Sequence, residues 1–317
     1  MMDTASLLST LRERDVKLWV EDDRIKCSAP AGALDDETRA TLASRKQEIL
    51  TFLQEADALK STPSAIVPIK PGGRRPPLFI VSGYRGDVFF MLPLSRKLHP
   101  EQPMLGVQPP GLDGSEPLAS VEALARYQVE QIRRYRPQGP YLVGGHCSGG
   151  TIAFEVAQQL TAAGHEVAFL ALIGSPFPTA FAPLSRFAAR LTSGSLAERM
   201  QKIMRRVQKL IRPPERTHQH EAPPEVSSIT KIDLRVGGAT LAAVRAYRPR
   251  HYAGQIDQFV SGEEWHHAHR WHAFASTVRQ HRIGELDIEE ILRGPEVSVL
   301  AAALQRRLDA IASQATA

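Results

Sequence analysis

The segment that most constrains the fold is YLVGGHCSGGTIAFEVAQQL, which begins at Tyr141. It opens with an apolar run typical of a strand, continues through a glycine-rich turn and enters helical spacing at about Thr151. A strand that leads directly into a helix is the repeating unit of parallel sheets, whose faces are covered by helices. The segment therefore predicts an α/β fold with a mostly parallel sheet.

The turn in this segment has the pattern glycine, any residue, nucleophile, any residue, glycine, with Cys147 at its centre. Gly145 and Gly149 would let the backbone approach closely, and the tight turn would expose the central side chain above the sheet. The helix N-terminus favours a thiolate at Cys147, and the amide of Ser148 is well placed to bind an oxyanion. The pattern predicts Cys147 as a nucleophile.

Two other interpretations of the turn stay open. Cys147 could be an inert buried thiol, or Ser148 could be the nucleophile. A turn centred on Ser148 would need a glycine two residues earlier, and His146 stands there. The strand, turn and helix together favour Cys147 over both alternatives.

Alternation of strands and helices continues through the predicted main domain, residues 77–317. Between residues 176 and 247 the pattern gives way to helices separated by polar and proline-rich stretches, which favours a helical lid. The predicted strands are Leu78–Val81, Met104–Val107, Tyr141–Val143, Val167–Ile173 and Ile256–Val260, and the predicted helices include Val121–Tyr135 and a final helix over residues 295–312.

Residues 1–55 form a separate predicted unit of α+β type. Helical spacing over residues 6–14 is followed by two short alternating stretches around a turn at Asp22–Asp23, which predicts a β-hairpin. Asp35 or Asp36 can cap a helix that runs to about Gln54. Residues 56–76 contain four prolines and predict a linker.

Composition excludes several classes of function. The net charge is +5, but the basic residues are spread thinly and no nucleic-acid motif accompanies them, so we expect no nucleic-acid partner. No apolar run reaches membrane-spanning length, and the N-terminus lacks the pattern of a secretory signal, so we expect a cytoplasmic protein without a membrane partner. Two distant cysteines, Cys27 and Cys147, indicate neither a disulfide framework nor a metal site.

Five segments show a resemblance to the thioesterase domains that terminate nonribosomal peptide and polyketide assembly lines. They are VPIKPGGRRPPLFIV, GVQPPGLDG, the segment from ARYQVEQIRRYRPQGP through the cysteine turn, AVRAYRPRHYAGQI and ILRGPEVSVLAAALQRRL. The resemblance implies an α/β-hydrolase fold and acyl or peptidyl thioesters tethered to the phosphopantetheine of a carrier protein. It implies no cofactor bound by the chain itself. It also implies Tyr84 as the second oxyanion donor, through its amide.

The N-terminal unit resembles the docking domains of the same assembly lines, on the stretch LLSTLRERDVKLWVEDDRIKCSAPAGALDDETRATLASRKQEIL. The resemblance implies that residues 1–55 capture the C-terminal tail of an upstream synthetase subunit. The hairpin edge could accept the tail as an added strand, and Lys17, Arg24 and Lys26 would select an acidic one. The alternative is an N-terminal cap on the main domain.

The catalytic acid and base of the resembled family are not at their usual positions. The family acid often follows the strand after the elbow helix, where this chain has Gly174, and the family histidine position is held by Ile288. Substitutes are found in SGEEWHHAHRWH, which follows a predicted strand. The candidates are Glu263 or Glu264 as the acid and His266, His267, His269 or His272 as the base, with Glu264, His266 and His267 preferred. A histidine-rich helix surface is the alternative.

These departures leave two hypotheses for function. In the first, the chain is an enzyme that releases, cyclises or transfers carrier-bound acyl chains through Cys147, with hydrolysis disfavoured because water needs a base. In the second, it is a degenerate thioesterase that binds a carrier protein and a partner subunit without catalysis. Retention of a reactive residue at Cys147 favours the enzyme.

Overall fold

The computed structural model describes the chain except for residues 1–3, 5, 6, 9, 10, 12–15, 22, 23, 31, 32, 61–64, 85, 179–227, 263–268, 287, 316 and 317. Most of the predicted lid therefore lies outside the described residues, as does most of the helix predicted over residues 6–14. The same holds for the loop that contains Glu264, His266 and His267.

The N-terminal unit is built on an antiparallel hairpin of β1, Lys17–Glu21, and β2, Arg24–Ser28. Two helices follow, α1 over Asp36–Ser44 and α2 over Lys46–Lys60. Asp35 caps α1 by accepting a hydrogen bond from the Thr38 amide over 2.7 Å. A small apolar core joins the hairpin, α2 and the first residues; its buried members are Leu7, Leu8, Leu11, Val16, Ile49 and Leu53.

The main domain contains a seven-stranded sheet in the order β3-β5-β4-β6-β7-β8-β9. β3 pairs with β5 in the antiparallel sense, and every other neighbouring pair is parallel, which confirms the predicted α/β architecture. The strands are β3 Ile66–Lys70, β4 Leu78–Val81, β5 Met104–Val107, β6 Tyr141–His146, β7 Val167–Ile173, β8 Tyr252–Ser261 and β9 Ala275–Gly284.

Helices cover both faces of this sheet, as parallel sheets require. One apolar core lies between the sheet and α4, α5 and α6, and a second lies between the sheet and α3, α7 and α8. The helices are α3 Leu92–Lys97, α4 Val121–Tyr135, α5 Ser148–Ala162, α6 Ser228–Ala246, α7 Ile288–Arg293 and α8 Val297–Ala315.

The structure differs from the prediction over the proposed linker. α2 continues to Lys60, and Ile66–Lys70 forms the edge strand β3 instead of an irregular segment. Pro68 obscured this strand, because a proline lacks the amide that a central strand donates. At an edge one side of the strand has no partner, so a proline is tolerated there. The pairing shifts register between Pro68 and Lys70.

Candidate active site

Cys147 lies between the end of β6 and the start of α5, at the carboxyl edge of the sheet. Its φ is 52° and its ψ is −122°, and it is the one non-glycine residue with positive φ in the described part of the chain. The Cys147 amide donates to the Ile173 carbonyl over 3.1 Å, and the Cys147 carbonyl accepts from the Gly150 amide over 3.2 Å. These hydrogen bonds hold a conformation that costs of order 1–3 kcal/mol.

Glycines on both sides of Cys147 are required by close backbone contacts. A Cβ atom at Gly145 would lie 2.2 Å from the Gly149 carbonyl oxygen, and one at Gly149 would lie 2.5 Å from the Ser82 carbonyl oxygen. Both neighbours are backbone atoms, which cannot move aside as a flexible side chain can. The two glycines therefore allow α5 to begin directly against β6 and β4, and the turn has the strand–turn–helix geometry of a nucleophile elbow.

Exposure differs among the three residues of the turn. The Cys147 side chain is partly exposed. The Ser148 side chain is buried, and its Oγ makes no hydrogen bond within the described part of the chain. His146 is buried with its ring centroid 5.1 Å from that of Phe90, which belongs to a 3₁₀ turn packed against the α3, α7 and α8 face. Of the three side chains, Cys147 is the one that an incoming substrate can reach.

The loop after β4 lies beside Cys147. β4 neighbours β6 in the sheet, with Val81 opposite Gly145, so the residues that follow each strand meet at the same edge. The loop turns at once, since the Gly86 amide donates to the Gly83 carbonyl over 3.0 Å. Tyr84 is inside this turn. Its amide and that of Ser148 belong to the two segments that border Cys147, which is the arrangement that binding of an oxyanion needs.

The positions of the family acid and base meet in the structure, and both are occupied by apolar residues. A Cβ atom at Gly174 would lie 2.9 Å from Cβ of Ile288, so these two residues are in direct contact. Ile288 is 1% exposed and belongs to the core formed with α3 and α8. An isoleucine cannot accept or donate a proton, so this pair supplies packing and no acid–base chemistry.

The preferred substitutes, Glu264, His266 and His267, lie outside the described residues, as does Glu263. His269 and His272, the two other candidates, are in a 3₁₀ turn over His269–Ala273 and are exposed. The buried residue of this turn is Trp271, which packs against Phe154 and Phe177. The turn is therefore anchored by its tryptophan, with both histidines on its outer side.

The structure contains a histidine–carboxylate pair that the sequence did not reveal. His281 Nε2 lies 2.7 Å from Oδ1 of Asp257, and the Arg307 Nε donates to the same oxygen over 2.8 Å. His281 is in β9, three strands away from β6, or roughly 14 Å at the usual strand spacing. The pair is therefore remote from Cys147. The signal that could have located it is limited to the β-branched residues Thr277, Val278 and Ile283 of β9, which a run of four polar residues interrupts.

The electrostatics of Asp257 fit a structural role. Burial by itself would raise the pKa of this carboxyl, but hydrogen bonds from His281 and Arg307 outweigh burial and leave the pKa below its usual range. The carboxylate is thus kept ionised between the Arg307 guanidinium and the His281 ring. Together they join β8, β9 and α8.

In the described part of the chain, no group of histidine, cysteine, aspartate and glutamate side chains is arranged to hold a metal ion. Among the helices described, none is both long enough and apolar enough to cross a membrane.

A sheet of this topology with a nucleophile elbow after a central parallel strand defines the α/β-hydrolase fold. The family model described as "Thioesterase domain" matches residues 76–312, and the chain belongs to this family. A second model, "TubC N-terminal docking domain", matches residues 5–55. Both resemblances inferred from the sequence are confirmed.

The chain is similar in sequence to parts of two synthetases. The chain is 45% identical to malpibaldin synthetase of Mortierella alpina over 113 residues, which cover 35% of this chain and 2% of that protein. It is 27% identical to atromentin synthetase invA5 of Paxillus involutus over 236 residues, which cover 66% of this chain and 24% of that protein. The chain thus spans less than a quarter of either relative.

Solved structures agree on the fold. The NocB thioesterase domain from the nocardicin cluster superposes with a TM-score of 0.56 at 22% identity, and the match covers 77% of this chain and 98% of that one. At this level of identity the superposition establishes the shared fold.

Proposed function

We propose that this chain acts on acyl or peptidyl thioesters carried on the phosphopantetheine of a carrier protein, with Cys147 as the nucleophile. One observation carries the proposal: Cys147 is strained, partly exposed and located at the N-terminus of α5, whereas the Ser148 hydroxyl is buried. A structural cysteine has no need of a strained backbone, and strain of this kind is typical of functional sites. Membership of the thioesterase family supports the choice of substrate class.

The first step is acyl transfer to the enzyme. The Cys147 thiolate attacks the carbonyl carbon of the thioester, and the amides of Ser148 and Tyr84 stabilise the oxyanion that forms. Collapse of the tetrahedral intermediate breaks the bond between carbon and the phosphopantetheine sulfur. The carrier leaves as a thiolate and takes up a proton. One thioester replaces another, so the free-energy change is small and no water is consumed.

The second step transfers the acyl group from Cys147 to an acceptor. Hydrolysis would require a base to activate water. The contact between Gly174 and Ile288 puts packing where the family has its acid and base. Transfer to a thiol or amine, or cyclisation by a nucleophile within the substrate, is therefore favoured over hydrolysis. Each of these acceptors expels the Cys147 thiolate and regenerates the enzyme.

His266 or His267, oriented by Glu264, remains the proposed base for this second step. The loop that contains them follows β8, whose carboxyl end is at the same edge of the sheet as Cys147. His266→Gln, His267→Gln and Glu264→Gln should each form acyl-enzyme at the wild-type rate. The variant that lacks the true base should release the acyl group at least about tenfold more slowly. If all three variants released the acyl group at the wild-type rate, none of these residues would take part in the mechanism.

Intact-protein mass spectrometry tests the nucleophile directly. Wild-type protein mixed with an acyl-loaded carrier should gain the mass of the acyl group, and Cys147→Ala should not. Cys27 is also exposed to solvent, so Cys27→Ser is the matched control and should gain the same mass as wild type. An adduct that persists for minutes would support transfer, and rapid turnover with water as acceptor would contradict it.

The second candidate function is a scaffold that binds a carrier and a partner subunit without catalysis. The Gly174–Ile288 contact favours it, because the family acid and base are both missing from their positions. Reaction with iodoacetamide separates the two functions: an activated Cys147 should react at least about tenfold faster than the thiol at Cys27. Slow alkylation of Cys147, together with carrier binding and no acyl adduct, would establish the scaffold.

The N-terminal unit supplies the proposed partner interaction. Arg24 and Lys26 are exposed on β2, beside a hairpin edge to which a peptide strand could be added. We expect an acidic C-terminal tail of an upstream synthetase subunit to bind there. Lys26→Glu should weaken binding of an acidic peptide about tenfold in low salt, because it replaces an attraction with a repulsion.

Fluorescence anisotropy with the full chain measures this affinity. Arg134→Glu is the matched control, since it makes the same charge change at an exposed position of α4 in the main domain. The control should leave the affinity unchanged. Equal losses in both variants would show that only the overall charge of the chain matters.

A further inference from the structure

We propose that helix α6 holds the loop after β4 in position for oxyanion binding, and that Gly237 is the positioning residue that permits this contact. The inference rests on the proposed function, in which the Tyr84 amide is an oxyanion donor. It adds a residue outside the nucleophile elbow to the machinery of the site.

Two consecutive glycines in α6 call for an explanation, because each destabilises the middle of a helix. Their surroundings differ. A Cβ atom at Gly237 would lie 3.2 Å from Cδ2 of Tyr84 and 3.6 Å from the Tyr84 carbonyl oxygen. A Cβ atom at Gly238 would meet nothing within 4 Å. Gly237 is therefore where the helix backbone and Tyr84 come so close that a Cβ atom would fit only if Tyr84 shifted, and Gly238 is open to solvent.

The residues next to Gly237 fix α6 against a second loop. Val236 is buried, and its Cγ2 would be 3.2 Å from a Cβ atom at Gly111. The Arg235 guanidinium donates to the carbonyl oxygens of Gly114 and Ser115 over 2.5 and 2.6 Å. Three consecutive residues of α6 thus contact the loop after β5 and the loop after β4.

The two loops are also joined to each other. The Gln108 side-chain amide donates to the Gly86 carbonyl over 3.0 Å. A Cβ atom at Gly86 would lie 2.9 Å from Cδ1 of Leu112. The loop with Tyr84 is therefore enclosed by the loop after β5 on one side and by α6 on another. A side chain at Gly237 would displace Tyr84 by a few tenths of an ångström, a shift that matters for an oxyanion donor and not for a surface loop.

The test compares two reactions of Cys147. Acylation by a carrier-bound thioester passes through an oxyanion, and alkylation by iodoacetamide does not. Gly237→Ala should slow acylation about fivefold and Gly237→Val about fiftyfold, and both should leave the alkylation rate within about twofold of wild type. Gly238→Ala and Gly238→Val are the matched controls and should leave both rates unchanged.

A double variant shows whether the effect acts through Tyr84. The donor is a backbone amide, so it is retained in Tyr84→Ala. In that background Gly237→Ala should have little further effect on acylation, because the ring that its Cβ would meet is gone. A full fivefold loss in the Tyr84→Ala background would contradict the proposed contact.

The outcomes separate the inference from the proposed function. No acylation of wild type by any thioester would refute the proposed function. Normal acylation of wild type and of both Gly237 variants would refute the positioning role alone. A parallel loss of acylation and alkylation would also refute it, because the damage would then reach Cys147 itself. Should Gly237→Val fail to fold, Gly237→Ala gives the answer, since its steric conflict is smaller.

Discussion

At the carboxyl edge of the sheet, the turns after β6 and after β7 each include a glycine in close contact, but the two glycines meet different neighbours. Gly145 meets the backbone of Gly149, on either side of the strained residue Cys147. Gly174 meets the side chain of Ile288, a residue of the apolar core. The first turn presents a partly exposed thiol, and the second closes a packed interior.

This difference indicates that the two halves of a hydrolase site, the turn with the nucleophile position and the pair of acid and base positions, can be maintained independently. The turn around Cys147 depends on local backbone contacts around β6, and these are intact although Gly174 and Ile288 hold the family positions of the acid and the base. The family positions of the acid and the base meet through long-range packing between the turn after β7 and the start of α7, and here an aliphatic contact occupies them. We expect the turn around Cys147 to be the chemical half of the site and the Gly174–Ile288 contact to be its structural half.

The largest effect is expected at the elbow itself. Gly145→Ala places a Cβ atom 2.2 Å from a carbonyl oxygen and should lower the free energy of unfolding by at least about 4 kcal/mol. Gly164→Ala is the control: its φ is 80° and a Cβ atom there meets nothing within 4 Å, so it should cost about 1 kcal/mol. Urea denaturation measures both. Equal costs would mean that the backbone contact does not constrain the turn.

Ile288→Ala should be the next most damaging change, and its effect should be purely structural. Removal of a side chain that is 1% exposed should cost about 3–4 kcal/mol, because a cavity remains in the core. The rate of acylation of Cys147 in the folded protein should stay within about twofold of wild type. A large loss of that rate at unchanged stability would show that Ile288 belongs to the chemical half after all.

Asp257→Asn should cost about 3 kcal/mol near neutral pH, since the partners Arg307 and His281 lose a buried carboxylate. The pKa of Asp257 is lower in the folded chain than in the unfolded one, so its contribution is present above the unfolded pKa and disappears as the pH falls through the folded value. The wild-type advantage over Asp257→Asn should therefore shrink in acid. Denaturation at a series of pH values measures this trend.

His281→Gln, in the same cluster, tests whether a histidine–carboxylate pair acts in catalysis when it lies far from Cys147. His281 and Asp257 resemble a catalytic pair but lie three strands from Cys147, so acylation and release of the acyl group should both proceed at wild-type rates. Single-turnover mass spectrometry with a carrier-bound thioester measures both steps. A tenfold slower release would identify His281 as the missing base and would overturn the separation of the two halves.

The smallest effect on stability is expected from Tyr247→Phe. The Tyr247 hydroxyl donates to the buried carboxylate of Glu155 over 2.6 Å, and burial followed by this hydrogen bond raises the pKa of Tyr247, which keeps it protonated. Its loss should cost about 1.5 kcal/mol, because Gln158 and Gln159 still donate to Glu155. Thermal denaturation should detect the change, and a cost near zero would mean that the bond adds nothing in the folded state.

The elements with strong local patterns were predicted closely. Helix α4 and strands β5 and β7 occupy the predicted residues, because their apolar spacing and flanking turn residues are unambiguous. The elbow was predicted for the same reason, since its glycines, strand and helix are contiguous in the sequence. β3 and β9 were missed because both are edge strands: one contains Pro68 and the other is rich in polar residues such as Arg279 and His281.

Contacts between distant segments could not be predicted. The Gly174–Ile288 contact joins residues more than 100 positions apart, and neither has a local pattern that identifies the other. Asp257 and Arg307 are 50 positions apart and Tyr84 and Gly237 are more than 100 apart, and these pairs also lack a local pattern that connects them. In each case the tertiary fold brings together side chains whose sequence neighbours indicate only a strand, a turn or a helix.

The hydrogen bond between Tyr247 and Glu155 also has a mechanical consequence. It fixes the carboxyl end of α6 to α5. Gly237 lies ten residues from Tyr247 toward the N-terminus of the helix, which is about 15 Å at the rise of an α-helix. Tyr247 is therefore the fixed point about which the helix would tilt. A tilt of only about 2° would move Gly237 by roughly 0.5 Å, which is as much as a preorganised site tolerates. A change in the tilt of α6 about this point would therefore reach Tyr84 through Gly237.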